Sequence, residues 1–105
     1  MRANKDLKKH IHRFDDYDII EAFKALGNKY RLAIILELKR RPDITLEQIN
    51  QHVGGEFKNI SFHTRKLFIA GLVSKKYKGM FIEHKLTEYG KIAIKAYELF
   101  TKDPF

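Results

Sequence analysis

Six cationic side chains (Lys58, Arg65, Lys66, Lys75, Lys76 and Lys78) fall within residues 57–82, and no carboxylate lies among them. Asn59, Ser61 and His63 add an amide, a hydroxyl and an imidazole beside the first of these cations. Cations alone would neutralise any anionic surface. Amide, hydroxyl and guanidinium groups next to them also make directional hydrogen bonds, so the set suits a polyanion with readable edges. Catalysis is the least supported chemistry. The chain has no Gly-rich phosphate loop and no nucleophile with a base at a recognisable spacing. Asp15, Asp16, Asp18 and Glu21 read as helix-start carboxylates facing the positive end of a helix dipole, in preference to a metal site.

The bulk properties agree. A net charge of +8 on 105 residues favours nucleic acid or another anionic partner, and the clustering of that charge argues against a merely soluble basic protein. The length implies one domain with a small core, which dimerisation would help to stabilise. With no cysteine there is neither a disulfide framework nor a thiolate metal site, as expected of a cytoplasmic protein. No apolar run approaches the roughly 18 residues of a membrane span, and the basic N-terminus lacks the apolar stretch of a secretion signal.

The elements that must position these groups follow from periodicity and caps. Residues 1–14 are basic, with Leu7, Ile11 and Phe14 at helical spacing, and read as either a frayed helix or a basic arm. Residues 15–105 form the folded domain. Asp15 to Asp18 open a helix with the stripe Ile19, Ile20, Phe23 and Leu26, ended by Gly27. Asn28 caps a second helix, whose buried side is Leu32, Ile35, Leu36 and Leu38 with Ile34 flanking, and Pro42 stops it. Thr45 and Gln48 match a capping box for a short third helix, and Gly54-Gly55 turns into a fourth that begins near Phe57. Ile60, Leu67 and Phe68, with Thr64 between them, are its apolar positions, and Gly71 suits the left-handed residue after its end. Two alternating stretches, Leu72 to Tyr77 and Met80 to Leu86, predict a hairpin turning at Lys78-Gly79, with Val73 and either Phe81 or Ile82 inward. Thr87 caps a last helix to about Phe100, apolar over more than one stripe.

The expected fold is mainly α with a small β-hairpin, in the order α-α-α-α-β-β-α. Ala25-Leu26 with Arg31-Leu32, and then Ser61, His63, Leu67 and Ala70-Gly71-Leu72-Val73, resemble the arsenic-repressor-type winged helix-turn-helix regulators. Leu86-Thr87 with Gly90 is similar to the start of the last helix in related multidrug- and phenolic-acid-repressor-like groups. The resemblance implies a sequence-specific regulator of transcription, a repressor, that binds double-stranded DNA at a pseudo-palindromic operator as a homodimer. The fourth helix would enter the major groove, and the hairpin would lie on the backbone or in the minor groove.

On that basis Lys58, Asn59, Ser61, Phe62, His63, Arg65, Lys66, Lys75, Lys76 and Lys78 are the candidate DNA contacts. Phe62 either meets a thymine methyl or simply packs, and His63 is expected to be structural more than base-reading. Ile19, Phe23, Tyr89, Ile92, Ala96, Tyr97 and Phe100 are the candidate dimerisation residues. No cofactor and no metal are expected: the third helix lacks thiols, the last lacks histidine, His84 stands alone in a strand, and His10 and His12 are poorly spaced for a helical pair. The competing readings are a winged-helix module that binds protein and a non-specific architectural DNA-binding protein.

Overall fold

The computed structural model describes residues 15–102. The expected basic arm at 1–14, with His10 and His12, and residues 103–105 lie outside the described residues. The elements are α1 (Asp16–Leu26), α2 (Lys29–Arg40), α3 (Leu46–Val53), α4 (Phe57–Ile69), β1 (Val73–Lys78), β2 (Phe81–Leu86) and α5 (Glu88–Thr101).

Local chemistry sets most of the boundaries. Asp15 and Asp18 form a reciprocal capping box at α1, and Asn28 Oδ1 accepts from the backbone N–H groups of Tyr30 and Arg31 at α2. Thr45 and Gln48 form the expected box at α3. At the far end of α4, Gly71 has φ 83, Leu72 N–H donates to Leu67 O at 3.0 Å, and Gly71 N–H donates to Phe68 O at 3.0 Å. This pair of bonds satisfies the last carbonyls of the helix and needs the left-handed residue that glycine supplies.

The core is a continuous cluster of Ile34, Ile35 and Leu38 from α2, Ile49 from α3, Ile60 and Leu67 from α4, Leu72 and Val73 at the start of the hairpin, Leu86 at its end, and Ile94 from α5. The buried stripe of α2 is rotated from the expected one. Ile34, expected at the flank, is fully buried, whereas Leu32 and Leu36 are half-buried. Glu37 is buried as well, and Arg40 at the end of α2 and Arg41 at its C-cap both donate to its carboxylate. A buried carboxylate without such partners would be strongly unfavourable.

The hairpin differs from expectation in two ways. Its register pairs Lys78 with Phe81, so the two-residue turn is Gly79-Met80 and Lys78 belongs to β1. Gly79 has φ 59 and Met80 does not share it, the pattern of a type II′ turn. Phe81 and Ile82 are exposed; the inward residues of β2 are His84 and Leu86, opposite Lys75 and Val73. His84 shares the inward face with Leu86, and residues 43–44 form a third, short edge against β2 beside it. Ile44 and His84 exchange backbone bonds (His84 N–H to Ile44 O, 2.8 Å; Ile44 N–H to His84 O, 3.3 Å), and the His84 ring places Nδ1 3.1 Å from the same Ile44 carbonyl. A carbonyl only accepts, so Nδ1 carries a hydrogen.

Two expected outcomes follow from this packing. A Cβ on Gly90 would lie 2.2 Å from Leu72 O and 3.2 Å from two Leu86 carbons, so Gly90→Ala forces α5 off the hairpin root. The expected cost is about 2 kcal/mol or more in denaturant unfolding, several times that of an exposed substitution such as Lys95→Ala. For His84, desolvation is the main cause of a lowered proton affinity, with Lys75 adding to it against the opposing Ile44 bond and Glu47. The unfolded chain therefore binds this proton more readily than the folded one. Stability is fully present above the ordinary value of 6.5 and declines as the pH falls below it. Thermal midpoints should drop on acidification through that range, and less steeply in His84→Gln.

Candidate nucleic-acid interface

The cationic helix expected from the sequence is α4, and its faces are sharply divided. Ile60, Thr64 and Leu67 point into the core, while Lys58, Asn59, Phe62, Arg65 and Lys66 are exposed. At 3.6 residues per turn Phe62 sits at the centre of the outward face, with Lys58, Arg65 and Lys66 around it and Ser61 and His63 on opposite flanks. Phe62 is 52% exposed, so it does not pack into the core; its ring meets the His63 ring at a steep angle, centroids 5.3 Å apart, and the Lys66 ammonium lies 5.2 Å from its centroid.

Asn59 is less free than its position suggests. Its amide donates to Glu56 Oε1 at 3.4 Å, a carboxylate one residue before the acid-free window. Glu56 stands at the N-cap of α4 but makes no side-chain cap bond. The backbone donors of the first turn therefore lack the side-chain acceptor that caps α1, α2, α3 and α5.

His63 occupies a site that the spacing of α4 alone could not define. Arg31 Nη1 lies 2.9 Å from His63 Nδ1, and the ring stacks on Tyr30 with centroids 5.5 Å apart. A guanidinium can only donate, so Nδ1 accepts and the ring hydrogen sits on Nε2. Desolvation and then the Arg31 charge hold the imidazole's proton affinity below its ordinary value. The product is a neutral, oriented ring whose Nε2–H is a donor. Arg31 is itself fixed by an Nε bond to Ala25 O. Tyr30, with Lys29 Nζ 5.3 Å from its centroid, extends the aromatic and cationic surface onto the start of α2. Tyr30 and Lys29 were not among the sequence candidates. The signal available was the run Lys29-Tyr30-Arg31 directly after a helix cap, where side chains project from the same end as α4's outward face.

The three hairpin lysines divide. Lys75 is on the inner face and half-buried, its ammonium 4.4 Å over the Phe68 ring at the end of α4. It joins the hairpin to the helix. Lys76 and Lys78 are exposed on the opposite face, with Lys78 3.9 Å from Glu83. Of the candidate dimerisation residues, Ile19, Phe23, Ile92 and Phe100 are exposed and Tyr89, Ala96 and Tyr97 half-buried. Ile19 and Phe23 of α1 face Tyr89, Ile92 and Ala96 of α5 across an apolar groove of about 430 Å³. Tyr97 and Phe100 lie outside it. Among the described residues no three histidine or acidic side chains converge as a metal site, and no helix is long and apolar enough to cross a membrane.

No family model matches the chain, and no curated protein matches it. Solved structures do. A homodimeric winged helix-turn-helix DNA-binding domain from Mycobacterium bovis, described as a possible ArsR-family transcriptional regulator, superposes with a TM-score of 0.73 at 21% identity, covering 95% of this chain and 89% of that one. The chain has the winged helix-turn-helix fold. The transcriptional regulator HlyU from Vibrio vulnificus is similar at a TM-score of 0.68 and 20% identity, over 93% of this chain and 97% of that one. An ArsR-like transcriptional regulator from Rhodococcus is similar at 0.66 and 22%, over 79% of each. In the terms of this fold, α3 and α4 are the helix-turn-helix and the β1–β2 hairpin is the wing.

The Arg31–His63 pair gives a direct expectation. In Arg31→Ala the charge beside the ring is gone, so the His63 proton affinity rises toward its ordinary value of 6.5. An NMR titration of the His63 ring should show that upward movement.

Proposed function

We propose that this protein is a sequence-specific, double-stranded-DNA-binding regulator of transcription of the arsenic-repressor type, acting as a homodimeric repressor. The observation that carries the reading is the outward face of α4: Lys58, Phe62, Arg65 and Lys66 exposed together, on a helix whose other side is fully committed to the core. A helix of this width enters the major groove. There Arg65 takes guanine, Phe62 meets a thymine methyl, and the other cations meet phosphates. The His63 Nε2–H is a phosphate donor, which makes the histidine a positioning group. Lys76 and Lys78 neutralise the backbone beside the wing.

One α4 reads only a few base pairs. Two copies related by a two-fold axis read half-sites about 34 Å apart, which is why the operator is expected to be pseudo-palindromic. The α1–α5 groove, with Ile19, Phe23 and Ile92 exposed along it, supports dimerisation there, since a monomer in water would leave that surface wet. The similarity to a homodimeric DNA-binding domain supports the same arrangement.

Selection of bound duplexes from a random pool tests the reading. Enrichment of an inverted repeat is expected; retention of all sequences equally would favour an architectural role, and no retention would leave a protein-binding module. On the enriched duplex, Arg65→Ala should lower affinity roughly tenfold or more while leaving binding to random duplex nearly unchanged. Lys76→Ala should weaken both alike and reduce the slope of log affinity against log salt by about one. Equal losses for Arg65→Ala on both duplexes would remove it from base reading.

A further inference from the structure

The wing carries a feature that phosphate binding does not use. Met80, Phe81 and Ile82 are consecutive and all exposed, at 96%, 66% and 37%, and Tyr77, paired with Ile82, is 72% exposed. A tight turn in a soluble protein is ordinarily polar, and three exposed apolar residues in a row at its tip are unfavourable unless something covers them. Nothing in the protomer does so for Met80. The hairpin also holds the tip rigidly. Gly79 sets the turn, the β1–β2 ladder runs from Lys78–Phe81 to Val73–Leu86, and the root is fixed by the Ile44–His84 bridge and by Lys75 over Phe68.

The charge around the tip selects the partner. Lys76 and Lys78 are on the strand beside it and outnumber Glu83, which faces Lys76 across the hairpin and lies 3.9 Å from Lys78; no acidic residue lies between Phe57 and Ile82, and the wing emerges directly from the cationic helix α4. An anionic lipid surface would also accept cations beside an apolar tip, but here the cations run on from the outward face of α4, and a polyanion with a stacked apolar interior fits both the helix and the tip. We propose that the wing tip is a wedge for duplex DNA: Met80 and Phe81 enter the minor groove and part-unstack one base step, while Lys76 and Lys78 hold the flanking phosphates. Apolar side chains inserted in this way bend the duplex toward the major groove, where α4 lies. The wedge rests on the DNA-binding reading given above and adds a deformation to it. Steps that unstack easily, such as TA and CA, would then be preferred at positions that α4 never reaches.

The test uses the full chain and a mixed-sequence duplex of about 40 base pairs carrying a donor and an acceptor dye at its ends, long enough for a bend to change the end-to-end distance. Wild-type protein should bind and shorten that distance. Met80→Ser/Phe81→Ser changes only exposed side chains, so the fold is retained. It should lower affinity roughly tenfold and abolish the shortening, with the salt slope unchanged because no cation is lost. Lys76→Ala should do the reverse, lowering the slope and keeping the bend. Binding by wild type without bending, or a double variant that still bends the duplex, overturns the wedge and leaves the regulator reading intact. If wild type binds no duplex at all, the regulator reading fails and the wedge with it. If the double variant instead loses self-association while DNA bending persists, the tip is a contact between copies of this chain and the wedge is wrong.

Discussion

Thr87 is the point at which the helices and the wing are tied together. Its hydroxyl donates to Gly71 O at 2.7 Å and accepts from Gly90 N–H at 3.0 Å, while its backbone N–H donates to Leu72 O at 3.1 Å. One residue thus binds the end of α4, the first residue before β1 and the first turn of α5. Gly90 completes the junction, because the absence of a side chain lets α5 approach Leu72 O. The direction in which the wing leaves α4 is set here. So is the angle of α5, which carries one wall of the apolar groove.

Much of this was legible in the sequence, and for identifiable reasons. Caps are local: Asn28, Thr45 with Gln48, Thr87 and Gly71 each act on backbone groups a few residues away, so residue type and spacing suffice. The outward face of α4 was legible because helical periodicity separates Ile60 and Leu67 from Lys58, Arg65 and Lys66 without reference to the rest of the chain.

What escaped the sequence depends on partners distant along the chain. His84 is buried because Ile44, forty residues earlier, supplies an edge for β2 and an acceptor for its ring. Ile82 shares the face of His84 and Leu86 but lies next to the turn, beyond the core, and Phe81 points to the other face, so both come out exposed. Lys75 was grouped with Lys76 and Lys78 by composition, but neighbours on a strand point to opposite faces, and Phe68 takes the first of them. Phe62 remained ambiguous for a different reason: its type says core and its helical phase says surface, and phase decided. The Arg31–His63 pair joins α2 to α4 across thirty-two positions, and no local pattern encodes it.

The short edge at residues 43–44 has a mechanical consequence. A two-stranded hairpin attached only at its root would swing like a hinge and could adjust to whatever surface it met. Here β2 is held along both margins, by β1 on one side and by Ile44 on the other, and Ile44 leads directly into α3. The spacing between hairpin and helix-turn-helix is therefore a property of the protein and cannot easily relax. Any curved or grooved surface that engages both at once must supply the compliance itself, and its own stiffness then becomes part of what is recognised.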